Sequence, residues 1–129
     1  MARISAHIKR DSLFETQLGD HTLTTDPDGV AGPSPPEVLV ASLGACVGIL
    51  VANYCKRSGM STEDLSVDVE YSKTSNPYRL AEFQVNINLP HADIDGRLGA
   101  ITRVAEHCPV HQTMCTLEGA NIRVNGKSA

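Results

Sequence analysis

The chain has 129 residues, of which 41% are hydrophobic, and it carries a net charge of −4 at pH 7. Its acidic balance, without a run of basic residues, argues against nucleic acid or an anionic membrane surface as the main partner. The length predicts a single domain over residues 1–129, and the N-terminal residues lack the apolar core of a secretory signal, so we expect a cytoplasmic protein.

Residues 1–33 predict three strands followed by a loop. Apolar and polar side chains alternate over residues 1–10, as in a half-buried strand. Two further strands, from Leu13 to Leu18 and from His21 to Thr25, flank the turn-forming pair Gly19-Asp20 and predict a hairpin. Residues 26–33 are rich in turn formers and predict a loop.

The segment from Ser34 to Gly59 predicts a long helix around which the rest of the chain is built. Ser34 is a good N-cap, Glu37 follows it at the spacing of a capping box, and Gly59 can end the helix in a left-handed conformation. Residues 38–55 are uncharged and apolar on nearly every side, so we expect the helix to be buried all round. A membrane span is the competing interpretation, but the run is marginal in length and contains several polar residues.

The rest of the chain predicts a second hairpin, a helix, a short helical turn and a last strand. Side chains alternate from Leu65 to Tyr71 and from Phe83 to Leu89, on either side of a turn. An apolar stripe indicates a helix from Asp93 or Asp95 to His107, and a turn from Pro109 to Thr116 leads to a strand from Asn121 to Val124. Antiparallel hairpins around one buried helix indicate an α+β fold.

Cys108 has a sequence environment that favours a reactive thiol. It precedes Pro109 at the start of a short helix, where free backbone N–H groups and the helix dipole stabilise a thiolate and lower its pKa. His107 and His111 are near enough in sequence to add charge or accept a proton. A buried structural role is the alternative for this cysteine.

The other cysteines, Cys46, Cys55 and Cys115, leave several roles open. Cys46 lies in the middle of the long helix and is as compatible with the core as with reactivity, whereas Cys55 points to the opposite face and cannot pair with it. We interpret Cys55 and Cys115 as structural. A zinc site that uses Cys108, His111 and Cys115, with His107 nearby, is a further hypothesis, although the spacing matches no common zinc motif.

Two cysteine-centred motifs together carry a resemblance to a known family. SPPEVLVASLGACVG in the long helix and HCPVHQTM near the C-terminus resemble the OsmC/Ohr family, as do the order of elements and the chain length. The resemblance implies an OsmC-like fold in an intertwined homodimer, with the two long helices buried at its centre and sites formed by both chains. It also implies reduction of organic hydroperoxides without a bound cofactor, with Cys46 as the peroxidatic thiolate and Cys108 as the resolving thiol. A dithiol, often lipoyl-linked, would then reduce the resulting disulfide.

The same resemblance implies an arginine that holds the peroxidatic cysteine as thiolate, paired with a glutamate at the start of the helix. Glu37 matches the glutamate; Arg10 is the first candidate for the arginine and Arg3 the second. Glu37 lies nine residues before Cys46, one fewer than in the well-studied peroxidases of the family, and this spacing puts the two on opposite helix faces. This shorter spacing is more similar to that of the less characterised OsmC-like branch of the family.

A second functional hypothesis keeps this fold but changes the activity. The apolar helix in an otherwise acidic protein is compatible with binding of a hydrophobic small molecule at the dimer interface. The protein would then be non-catalytic or redox-sensing, and the cysteines would serve as sensors or as core residues.

Overall fold

The computed structural model describes residues 1–128 and has two antiparallel sheets and three helices. This arrangement confirms the predicted α+β class. The elements in chain order are β1 (Ser5–Arg10), β2 (Leu13–Leu18), β3 (His21–Thr25), α1 (Pro35–Arg57), β4 (Ser66–Ser75), β5 (Tyr78–Asn88), α2 (Leu98–Glu106) and α3 (Pro109–Thr116).

The first sheet is a meander of β1, β2 and β3. Leu18 pairs with His21 across the predicted two-residue turn, and Gly19 takes a φ of +62°, which glycine adopts without strain. Large apolar side chains of this sheet and of the residues before it remain exposed; these are Ile4, Ile8, Phe14 and Leu18. The first sheet therefore has apolar surface that residues 1–128 do not cover.

The second sheet pairs β4 with β5 and forms the floor on which α1 lies. Side chains from both strands, including Val67, Val69 and Val85, pack against the core cluster of α1. A Cβ added at Gly44 would lie 3.4 Å from Cγ2 of Val69, so the helix approaches the sheet closely at this position. The missing glycine side chain thus lets helix and sheet pack without a gap.

Helix α1 begins and ends where the sequence predicts. Ser34 is the N-cap, and its backbone amide and hydroxyl both donate hydrogen bonds to Oε1 of Glu37, at 3.1 and 2.7 Å. Met60 N donates to Cys55 O at 2.8 Å after the helix, and Gly59 has a φ of +68°. Local chemistry at both ends therefore sets the helix length.

Helix α1 is buried on one side only, so the prediction of burial all round is wrong for the single chain. Its inner face packs on β4, β5, α2 and α3, whereas the first sheet contacts it at most marginally within residues 1–128. On the opposite face Ala45 and Asn53 are exposed, and Ile49 is 61% exposed. The inner residues are Val40, Leu43, Val47, Val51 and Cys55.

By length and composition alone, α1 could cross a membrane: it has 23 residues and a mean hydropathy of 2.0 over its most apolar window. A third of that window is buried within the chain, at the centre of the hydrophobic core. Core helices of folded domains share this composition, so the helix is weak evidence for a membrane span.

The C-terminal third differs from the sequence prediction in two places. Helix α2 begins at Leu98, because the amide of Asp95 donates to Oδ1 of Asp93 at 3.0 Å and Gly96 has a φ of +71°, which together form a turn instead of helix. The predicted strand from Asn121 to Val124 is wrong: the segment makes only an isolated bridge between Val124 and Lys127. These residues are exposed, and no neighbouring strand among residues 1–128 pairs with them.

Candidate functional site

The fold brings Cys46 and Cys108 together. Cys108 is completely buried at the N-cap of α3, and Cys46 is half-buried at the edge of the inner face of α1. Both belong to the same apolar cluster, and the Cys46 side chain acts directly on the ionisation of the Cys108 thiol. Both thiols are free. Two residues separated by more than sixty positions thus form one thiol pair within the apolar cluster.

Burial raises the pKa of the Cys108 thiol above its ordinary value, and the neighbouring Cys46 side chain raises it further. The backbone N–H groups of His111 and Val110, in the first turn of α3, act in the opposite direction but do not outweigh burial. The helix start therefore lowers this pKa as predicted, but the predicted net lowering is wrong because burial has the larger effect. Cys108 is held as a neutral thiol.

The two nearby histidines do not face Cys108 with their rings. His107 Nδ1 lies 2.6 Å from the Arg103 carbonyl oxygen, and the ring of His111 lies between the Glu106 carbonyl and Cys115. Within residues 1–128, the zinc hypothesis at Cys108, His111 and Cys115 finds no set of three converging ligand atoms.

The ligand atoms that do converge within the described chain are those of Glu63, Asp64 and His91, all exposed. His91 Nε2 lies 2.8 Å from Oδ2 of Asp64. No sequence motif predicts this group, because its members come from two loops far apart in the chain.

Glu37 and Arg10 lie away from the thiol pair in the single chain. Glu37 is nine residues before Cys46, about 13.5 Å along the helix axis, and its carboxylate is engaged by Ser34. The hydrogen bonds from the Ser34 side chain and amide lower the pKa of Glu37. Arg10 is exposed at the end of β1. Hydrogen bonds from the amides of Ala31 and Asp28 lower the pKa of Asp26, and the charge of Arg10 makes a smaller contribution in the same direction.

Arg3, the second candidate for the arginine, is exposed before β1 begins. Within residues 1–128, then, the single chain brings the two cysteines together without either predicted partner. Arg10 lies at the end of β1 and Glu37 in the first turn of α1, and both side chains are exposed.

An apolar groove of about 890 Å³ runs between α1, β5 and α3. Ser42, one helical turn before Cys46, and Pro109, the residue after Cys108, both line it. The groove therefore passes beside positions close to the two cysteines, which are themselves not among its lining residues. Sequence reasoning missed it, because three segments far apart in the chain form its walls. Its other apolar lining residues include Leu39, Leu43, Phe83, Val85, Val110 and Met114.

The family model for OsmC-like proteins matches residues 26–124, which include α1, both strands of the second sheet, and both cysteines of the pair. The chain belongs to the OsmC-like protein family. A search of curated proteins gave no match for this OsmC-like protein.

Solved structures show the same fold at low sequence identity. An OsmC-like protein from Mycoplasma pneumoniae superposes with a TM-score of 0.75 and 21% identity, over 89% of this chain and 87% of that one. An organic hydroperoxide resistance protein OsmC from Legionella pneumophila gives 0.65 and 19%, over 87% of both chains. The organic hydroperoxide resistance protein OhrB of Bacillus subtilis gives 0.60 and 16%, over 88% and 90%. This OsmC-like fold suggests a protein that is not embedded in a membrane.

The remaining cysteines of this OsmC-like protein have opposite environments. Cys55 is completely buried in the core, as expected for a structural residue, and desolvation raises its pKa above the ordinary value of 9.0. Cys115 is exposed, which contradicts its interpretation as a structural core residue.

The raised pKa of Cys55 predicts that the protein loses stability in alkali. Below about pH 9 the thiol is protonated in both states; above that the unfolded chain releases a proton that the folded chain retains. Each such thiol lowers the free energy of unfolding by about 1.4 kcal/mol per pH unit between its unfolded and folded pKa. Urea titrations from pH 7.5 to 10.5 should show this loss. The Cys55→Ala variant should have a smaller free energy of unfolding at pH 7.5, and above pH 9 this free energy should decrease less with pH than in the wild type. A constant difference between wild type and variant across this range would contradict the raised pKa.

Proposed function

We propose that this protein reduces organic hydroperoxides, with Cys46 as the attacking thiolate and Cys108 as the resolving thiol. The observation that carries the proposal is the juxtaposition of these two thiols in an apolar cluster. An apolar groove that is open to the surface runs beside neighbouring positions of both helices. Membership of the OsmC-like family, and structural neighbours named as hydroperoxide resistance proteins, support the same reaction.

The reaction balances with one hydroperoxide and one dithiol. The Cys46 thiolate attacks the hydroperoxide, the O–O bond breaks, and Cys46 becomes a sulfenic acid while the substrate leaves as an alcohol after taking up a proton. The Cys108 thiol then condenses with the sulfenic acid, so that an S–S bond forms and water leaves. A dithiol, such as one carried on a lipoyl group, reduces this disulfide by exchange, becomes a cyclic disulfide and restores both thiols.

The surroundings of the pair suit each step. Because burial keeps Cys108 protonated, it does not compete with Cys46 for the hydroperoxide and remains ready to resolve the sulfenic acid. The apolar groove suits the organic part of the substrate, whose reacting end would lie at Cys46. An organic hydroperoxide fits this site better than a small polar peroxide.

In a homodimer, the second chain would supply the cover of α1 and the charged partners near Cys46 that the single chain lacks. The outer face of α1 around Ile49 and the apolar side of the first sheet are both exposed, and neither covers the other within the chain. A second copy that covers both surfaces would bury α1 all round and bring its Arg10, with Glu37, towards Cys46. An arginine at that position favours the thiolate by charge. We propose that this dimer acts in the cytoplasm.

Complementation between inactive chains tests whether Arg10 acts across the dimer. Arg10→Gln and Cys46→Ser homodimers should each turn over tert-butyl hydroperoxide poorly with a dithiol, because one lacks the cation and the other the nucleophile. Unfolding and refolding them together should restore about a quarter of wild-type activity, because half of the dimers are mixed and each mixed dimer has one intact site. Mixed dimers without activity would exclude that Arg10 of one subunit acts on Cys46 of the other. A wild-type protein that consumes no organic hydroperoxide would contradict the proposed function.

The groove itself favours a second candidate function, binding of a hydrophobic small molecule without turnover. At about 890 Å³ it lies within the size range of small-molecule sites. A ligand retained in a native mass spectrum, together with no alcohol formed from any organic hydroperoxide, would support this function over catalysis.

A further inference from the structure

Cys115 and His111 form a thiol–imidazole pair on α3, apart from the pair of Cys46 and Cys108. They lie four residues apart, one above the other on the same helix face, and Cys115 Sγ is 3.6 Å from His111 Nε2. Cys115 is exposed and His111 half-buried, so the thiol is accessible while the imidazole is held in place. An activated nucleophile needs a base within hydrogen-bond reach and a third group that orients this base.

The third part is the Glu106 carbonyl oxygen, 3.2 Å from His111 Nδ1. A carbonyl oxygen can only accept a hydrogen bond, so this contact requires the proton on Nδ1. Nε2 of the neutral ring then carries a lone pair, and that lone pair faces Cys115 Sγ. The backbone thus selects the tautomer in which His111 can accept the thiol proton.

We propose that Cys115 is a second nucleophilic thiol, with His111 as its base, and that it forms a mixed disulfide with small-molecule disulfides that carry an apolar substituent. This activity goes beyond hydroperoxide reduction and uses neither Cys46 nor Cys108. The Cys115 proton passes to His111 Nε2, and the thiolate attacks one sulfur of the small disulfide. The S–S bond of the small molecule breaks as the Cys115–S bond forms, and the leaving thiolate takes the proton from His111.

The groove beside the pair accounts for the preference for an apolar substituent. Cys115 and His111 line its wall, facing the apolar side chains of Leu39 and Leu43 on α1 and Phe83 on β5. The charged groups that line the same groove, Arg79 and Glu82, both lie on β5 and have opposite signs. They leave the groove without net charge, so the apolar contact decides which disulfide is held.

The test follows the reaction of full-length protein with 2,2′-dithiodipyridine, a neutral aromatic disulfide, in which peptide mass spectrometry quantifies the adduct at each cysteine. The Cys115 peptide should be labelled, and His111→Gln should slow that labelling about tenfold at pH 7. His107→Gln is the matched control: it removes an exposed imidazole near α3 that contacts the Arg103 carbonyl, and should leave the Cys115 rate unchanged. An unlabelled Cys115, or equal rates in wild type and His111→Gln, would overturn the proposal.

Two further measurements separate this activity from the proposed function and from misfolding. Between pH 6 and 8 the rate at Cys115 should rise less steeply with pH in wild type than for a free thiol in an unfolded peptide of the same sequence; equal slopes would contradict the pair. Cys115→Ser should lose the adduct at this peptide. If hydroperoxide reduction fails in the wild type but Cys115 still reacts with assistance from His111, only the proposed function is lost.

Discussion

Cys46→Ser should abolish hydroperoxide reduction, lowering the steady-state rate at least about a thousandfold. A serine hydroxyl at this position is neutral at pH 7 and a poor nucleophile towards an O–O bond, whereas a thiolate is both charged and polarisable. The substitution is nearly isosteric at a half-buried site, so the fold should survive it. The measurement is alcohol formed from tert-butyl hydroperoxide with a dithiol as reductant.

The other cysteines provide matched controls for this prediction. Cys55→Ala removes a buried thiol that belongs neither to the pair nor to the groove lining, and should leave the rate unchanged. Cys108→Ser should stop turnover one step later, with a sulfenic acid at Cys46 that a carbon-acid trapping reagent labels in a single turnover. If Cys46→Ser retains the wild-type rate, then Cys46 is not the nucleophile and the mechanism is wrong.

Ile49→Glu should convert the protein to monomers and remove its activity. Ile49 is 61% exposed in the single chain, so a charge there costs almost nothing unless a second chain covers it. In the proposed dimer the carboxylate would be buried without a partner, which costs several kcal/mol and weakens association at least about a hundredfold. Size-exclusion chromatography with light scattering, combined with the hydroperoxide assay, measures both effects.

Gln84→Glu is the control, because it adds the same charge at an exposed position of β5, on a strand that already carries polar residues outwards. It should leave mass and activity unchanged. An Ile49→Glu protein with the mass and rate of the wild type would show that the outer face of α1 is not a subunit interface.

The sequence predicted the parts of the fold that neighbouring residues determine. Ser34, Glu37 and Gly59 set the ends of α1 through contacts within a few positions, and Gly19-Asp20 sets the first hairpin. The failures lie where the outcome depends on distant segments. The predicted strand from Asn121 to Val124 has the right composition but finds no sheet edge within the described chain.

The candidate site shows the same division. The N-cap position of Cys108 followed from Pro109, but its raised pKa did not, since burial by α1 outweighs the local effect of the helix start. The interpretation of Cys115 as structural follows from how often free cysteines are buried, and it fails because the exposure of this residue depends on how α3 docks. No local sequence pattern predicts the groove between α1, β5 and α3 either.

The central claim is that Cys46 and Cys108 act as one redox pair, and a single turnover tests it most directly. One equivalent of tert-butyl hydroperoxide is added to the fully reduced protein without a reductant, and the products are mapped by peptide mass spectrometry under non-reducing conditions. We expect one equivalent of alcohol, two fewer free thiols per chain, and a disulfide that joins the Cys46 and Cys108 peptides, with Cys55 and Cys115 still reduced. Alcohol formed without that disulfide, or a disulfide through any other pair, would contradict the account.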